Sequence, residues 1–147
     1  MAQDSIRSKN GNGSSSVLLF VYGTLMNGQR LHHRLKAQKG VSYRGAAKIR
    51  AELYRLRGRT YPGAVRTSRP KEFVHGELYE LAAPEQALRA IDKIEGCDEK
   101  LFVRKRVDVW HGSHKSRAWA YFYAKPLAHA QHIPTGNYLQ HAVRAAR

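Results

Sequence analysis

Only one cysteine, Cys97, occurs in the 147 residues, so no intrachain disulfide can form and a secreted disulfide scaffold is excluded. The same scarcity excludes a zinc site built from cysteine thiolates. No apolar run approaches the ~20 residues of a membrane-spanning helix. The run Val17 to Val21 is too short for the core of a signal peptide and lies behind a polar leader. The expectation is a cytoplasmic protein with no membrane association. Acidic residues are scarce too: 26 Lys and Arg face 11 Asp and Glu, a formal charge of +15. Such an excess attracts polyanions and favours acidic small molecules, but it says nothing about fold. The basic residues are spread out, as in Arg44, Lys48, Arg50, Arg55, Arg57 and Arg59, then Arg104, Lys105 and Arg106. Without a compact basic tail or a nucleic-acid motif, a solvated basic face is the leading reading. Nucleic acid is the weakest candidate partner, because charge alone supplies only non-specific binding.

What is present suits one domain with its own core. Residues 1–16, rich in Ser, Gly and Asn, read as a disordered leader, and the folded domain spans 17–147. Val17 to Val21 predicts a buried strand that exits into Tyr22-Gly23-Thr24-Leu25. Asn27 to Lys36 has helical spacing, with Leu31 and Leu35 one turn apart and Gly40 as a stop. Residues 41–56 predict one or two strands, Tyr61-Pro62-Gly63 a turn, and Phe73 to Leu81 a strand in which Gly76 marks a bulge or a close approach. Pro84 opens the best helix, PEQALRAIDKIEG, with Glu85 at its positive end and Gly96 as its stop. Strands follow near 102–110 and 118–123 around the turn-like HGSHKS. Pro134 to Tyr138 then predicts a loop leading into a short helix. Many strands and few short helices indicate an α+β domain, a curled sheet or small barrel rather than a wound βαβ sheet.

One residue of that helix breaks its pattern. At about 100° per residue, Leu88 and Ile91 define the apolar side, and Glu95 returns to about −20°, between them. An acid facing the sheet costs desolvation energy unless it is paired, or it carries a raised pKa and a role. Two readings stand: a frayed last turn with Glu95 leaning to solvent or to an arginine, and a functional carboxylate. Asp92, at about 40° on the stripe's edge, reads as a cap or a salt-bridge partner. Other candidates are weaker. His32 and His33 diverge by about 100° and cannot share a metal. His111 and His114 lie in a turn without a carboxylate or cysteine partner. Cys97 has no patterned base, and no nucleophile-elbow motif occurs. Tyr121 and Tyr123 alternate on a strand and line either a pocket or a core.

In order along the chain come LFVYGTLMNGQRLHHRL, Tyr61-Pro62-Gly63-Ala64, and Val74 to Leu81. Ile91-Asp92-Lys93-Ile94-Glu95-Gly96, Phe102-x-Arg104 before a V-x-V strand, Ala118 to Tyr121, and Ile133 to Tyr138 follow. Together, over about residues 17–138, these blocks resemble the gamma-glutamylcyclotransferase-like proteins, especially the AIG2-like gamma-glutamylamine cyclotransferase branch. The resemblance implies a small mixed β-barrel with flanking short helices. It implies an enzyme in which the free α-amine of a γ-glutamyl group attacks its own side-chain amide, releasing an amine and 5-oxoproline. Ring closure supplies the nucleophile from the substrate itself, so no cofactor and no metal are implied. The partner implied is a small γ-glutamyl molecule, and nothing requires more than a monomer.

By the same resemblance Glu95 is the catalytic acid/base, taking a proton from the attacking ammonium and giving one to the leaving amine. Tyr22, Gly23, Thr24 and Leu25 match the substrate-cradling loop, whose backbone N–H groups hold a carboxylate or an oxyanion. The rival to catalysis is a binding module that keeps the pocket without the chemistry. Phe102 departs from the family by replacing the tyrosine of many relatives, which removes a hydroxyl. Cys97 to Lys100 fall in a variable segment, and the +15 charge is not a family hallmark.

Overall fold

The computed structural model describes residues 15–140. Alternating apolar residues and short turns build β1 (Val17–Val21), α1 (His32–Lys36), β2 (Val41–Arg50), β3 (Glu52–Arg55) and β4 (Pro62–Val65). They are followed by β5 (Phe73–Leu81), α2 (Pro84–Ile94), β6 (Phe102–His111), β7 (His114–Tyr123) and β8 (Gln131–His132). Five strands close into a barrel in the order β1-β5-β2-β6-β7, and β4-β3-β8 form a separate sheet. This is the expected α+β barrel with short flanking helices. Two of its seams are thin. β1 meets β7 in parallel at Leu19↔Trp119, and β2 meets β6 at Lys48↔Trp110. Closure through these seams removes the unpaired edges that an open five-stranded sheet would expose.

Strand alternation sends side chains to two cores. Phe20, Leu78, Ala118, Ala120 and Phe122 pack towards Leu53 of β3, Ala64 of β4 and Ile133. Leu19, Val21, Tyr79, Leu81 and Tyr121 face the other way, against Leu35 of α1 and Ala87, Leu88 and Ile91 of α2. The Leu88–Ile91 stripe is therefore what docks α2 onto the barrel. Gly76 is a close approach rather than a bulge. A Cβ there would overlap the Val21 carbonyl oxygen and sit 2.8 Å from Phe20 Cζ. The ladder bulge lies instead between Tyr43 and Gly45 of β2.

Two local expectations change. The helix expected from Asn27 starts only at His32, because Gly28 adopts φ 82° and breaks the helical path. The preceding segment is a run of turns, with Leu31 N–H donating to Thr24 O at 2.8 Å. Pro62-Gly63 is not a turn but the start of β4, an edge strand, where the missing proline N–H costs nothing. The reversal lies earlier, with Arg59 N–H donating to Leu56 O. Residues 1–14 of the leader, and most of the expected C-terminal helix, lie outside the described residues, although 138–140 are helical. Ser16 is tied to the fold, its hydroxyl donating to Glu80 Oε2 at 2.6 Å. Among the described residues no helix is long and apolar enough to cross a membrane.

Gly76→Ala forces β5 away from β1 at the mouth of the barrel and is expected to destabilise the fold by about 1–3 kcal/mol. Urea denaturation at neutral pH measures this cost.

Candidate active site

Where β1 runs out, the chain turns through Gly23, Thr24 and Leu25 beneath a cavity of about 270 Å³. The first turn brackets this loop, with Met26 N–H donating to Gly23 O at 3.0 Å. The Leu25 carbonyl is bound to His32 Nδ1 at 2.9 Å, so the loop is held from the α1 side. From the other side Gly23 packs against the Pro62 ring, which a Cβ at position 23 would meet at 2.8 Å. Tyr22 anchors the strand end. Its buried hydroxyl donates to Tyr121 O at 2.7 Å and accepts from Ala64 N–H at 3.0 Å, joining β1 to β7 and β4.

The loop carbonyls are used, whereas its donors are not. Among the described residues the N–H groups of Gly23, Thr24 and Leu25 make no hydrogen bond. Thr24 is the buried polar side chain of the described core, 8% exposed, and its hydroxyl is without a partner among them. Unpartnered buried polar groups are rare unless a ligand or water completes them. All three residues line the cavity, and successive unpaired N–H groups are of the kind that can bind an anion.

Glu95 lines the same cavity. It caps the C-terminus of α2, its N–H donating to Ile91 O at 2.9 Å, and Gly96 turns the chain out of the helix behind it. Neither arm of the frayed-turn reading describes this carboxylate. It lines the pocket, and no ion pair or side-chain hydrogen bond reaches it among the described residues. Burial, followed by the negative charge of Asp92, raises its pKa to about 7. Its charge also acts on its surroundings. Burial, and after it Glu95, pushes the Tyr22 phenol far above its usual range.

Asp92 is the salt-bridge partner its helical angle suggested. Arg104 Nε and Nη2 grip its carboxylate at 2.8 and 3.2 Å, and the Tyr121 hydroxyl donates to Oδ1 at 2.6 Å. Arg104 is thus committed to Asp92, and no ion pair reaches Glu95 among the described residues. Tyr121 lines the cavity, while Tyr123 meets Phe102 edge-on at 5.5 Å. Phe102 also lines the cavity and packs on Tyr61 at 5.9 Å. Cys97 is half-buried, and desolvation pushes its thiol up to about 11, unlike an activated nucleophile. Among the described residues no group of three or more His, Cys, Asp or Glu side chains is arranged to hold a metal.

The structure therefore brings Tyr22, Gly23, Thr24, Leu25 and Glu95 into one cavity from elements about 70 residues apart in the chain. Sequence reasoning missed Arg30 and Arg34, which line its α1 side. No local pattern distinguishes them from the other basic residues.

The family described as gamma-glutamyl cyclotransferase, AIG2-like, matches residues 19–140 of the sequence. No curated protein matches the chain. Among solved structures, the fold is similar to YkqA from Bacillus subtilis, with 23% identity and a TM-score of 0.71 over 89% of this chain and 42% of that one. It is also similar to an AIG2-like protein from Mus musculus, with 24% identity and a TM-score of 0.68 over 84% of this chain and 88% of that one. A structure described as gamma-glutamyl cyclotransferase shares 17% identity and a TM-score of 0.59 over 80% of this chain and 70% of that one. This chain thus spans less than half the length of YkqA. At these identities the likeness is one of fold.

Because the folded protein holds the Glu95 proton more tightly than the unfolded chain does, ionisation costs stability as pH rises from 4.5 through about 7. The cost at pH 8 is on the order of 3 kcal/mol. Glu95→Gln is expected to stabilise the protein by up to that amount at pH 8 and by little at pH 4, as read from denaturant midpoints at the two pH values. An equal effect at both would contradict a desolvated carboxylate.

Proposed function

The chain belongs to the gamma-glutamyl cyclotransferase, AIG2-like family, and on that premise we propose that it converts a γ-glutamyl amide to 5-oxoproline and a free amine, with Glu95 as general acid/base. The observation that carries this reading is a desolvated carboxylate without an ion-pair partner among the described residues, in the same cavity as Gly23, Thr24 and Leu25. In the ground state the substrate's α-ammonium, with a pKa of about 8, sits against Glu95. A carboxylate whose proton affinity lies within about one unit of that value accepts the proton readily, freeing the amine to attack the δ-carbonyl. Negative charge then grows on the carbonyl oxygen. The C–N bond to the leaving amine breaks as Glu95 returns the proton to that nitrogen, and the second proton of the attacking nitrogen passes to the departing amine, giving neutral 5-oxoproline and an ammonium.

The N–H groups of Gly23, Thr24 and Leu25 serve the charge that this step needs held, on the α-carboxylate or the developing oxyanion. Thr24 adds a hydroxyl. Tyr22 contributes differently, because its hydroxyl is already bound on both sides. It fixes the loop and walls the cavity. Folding the substrate so that amine and carbonyl meet makes the attack intramolecular, which lowers the demand on the protein to positioning and proton transfer.

Incubation with γ-glutamyl dipeptides and γ-glutamyl-lysine is expected to release 5-oxoproline, with kcat/KM rising as Glu95 ionises through about pH 7. Glu95→Gln is expected to lower kcat by about 100-fold or more, with a smaller change in KM. Undiminished turnover in that variant would sink the assignment of Glu95. Ligand-induced thermal stabilisation without turnover in the unaltered protein would favour a binding module instead.

A further inference from the structure

Two guanidinium groups stand at the cavity without a carboxylate of their own. Arg30 and Arg34 both line it, and both are exposed. Arg30 donates to Thr60 Oγ1 at 3.1 Å, a neutral partner across the opening. The Arg34 side chain has no partner among the described residues. Other acids of the described residues are paired with other cations. Asp92 holds Arg104, Asp108 holds Lys115 and Arg117, and Glu80 holds Arg44. Further positive charge gathers on the facing segment, since Arg59 and Arg30 both act on Tyr61, and Arg30 and Arg55 both act on Tyr138. Glu95 is the one acid lining the cavity, and it lies on the α2 side.

We propose that Arg30 and Arg34 make this opening a selector for γ-glutamyl amides whose leaving amine carries negative charge close to the scissile nitrogen. This inference rests on the cyclotransferase reading. That chemistry fixes the glutamyl half: its ammonium belongs at Glu95 and its carboxylate or oxyanion at the N–H groups of Gly23, Thr24 and Leu25. The variable half, beyond the amide nitrogen, extends towards the opening, where it meets the two guanidinium groups that hold no carboxylate among the described residues. A carboxylate there gains charge-assisted, forked hydrogen bonds, whereas an ammonium is repelled. Both arginines are exposed, so solvent and salt moderate the gain.

Kinetics with γ-glutamyl-aspartate, γ-glutamyl-alanine and γ-glutamyl-ethylamine test this selector. The expected order of kcat/KM for 5-oxoproline release is aspartate, alanine, ethylamine, with roughly tenfold between the extremes at low salt and less at high salt. In Arg34→Gln, and further in Arg30→Gln/Arg34→Gln, the ratio is expected to narrow towards one. Arg66→Gln, which removes the same charge at a cavity lined by other residues, is expected to keep the ratio. The selector is overturned by equal kcat/KM for the three compounds, by equal losses on all three in the arginine variants, or by the same narrowing in Arg66→Gln. Calorimetry of the three compounds on the Glu95→Gln protein separates the two readings. A charge-ranked affinity without turnover in the unaltered protein supports the selector and removes the cyclotransferase chemistry. Turnover without charge ranking does the reverse.

Discussion

The carboxylate of Glu95 sits at the end of an amphipathic helix whose apolar stripe pulls it against the barrel, in a place where water is scarce and no ion pair reaches it among the described residues. Leu88 and Ile91 supply the pull, since both are buried against the second core. Fixing α2 by its first turns commits its last residue to the cavity. The energetic penalty for ionising Glu95 belongs to the folded domain, because only the folded barrel partly buries that residue. The Asp92–Arg104–Tyr121 cluster serves the same end. It holds Arg104 on Asp92, whose negative charge adds to the proton affinity of Glu95.

The opposite wall of the site depends on how β1 ends. A strand paired with β5 along its whole length leaves the sheet abruptly at Tyr22, whose hydroxyl bridges β7 and β4. With the strand end pinned on two sides, the next three residues leave the ladder and line the cavity, their N–H groups unpaired among the described residues. The close contact of Gly76 with Val21 and Phe20 places the neighbouring strand tightly beneath that exit. Glu95 and the loop after β1 thus reach one cavity from distant parts of the chain.

Much of this was legible in the sequence, for identifiable reasons. β5 was readable to the residue and α2 from its first residue to within two of its end, because alternation, an N-terminal proline and a terminal glycine act locally. Glu95 stood out since helical geometry alone put a charge on an apolar stripe. Pro62-Gly63 misled, because a dipeptide that favours turns in isolation here begins an edge strand held by β3. The helix expected from Asn27 failed for a similar reason, the left-handed Gly28 outweighing the leucine spacing. Arg30 and Arg34 could not be singled out among 26 basic residues. Only the cavity distinguishes an arginine without a partner from one that holds Asp92 or Asp108. That five site residues would face one cavity was likewise a property of the closed barrel, beyond the reach of any local pattern.

The account turns on one quantity, the proton affinity of a single side chain in the folded protein. Site-specific NMR titration of the Glu95 carboxyl carbon, with Glu95→Gln identifying the resonance, measures it directly. A midpoint near 7 is the predicted result. A midpoint near the ordinary 4.5 would mean that the carboxylate is solvated or paired, and would contradict the desolvated acid/base on which the proposed chemistry rests.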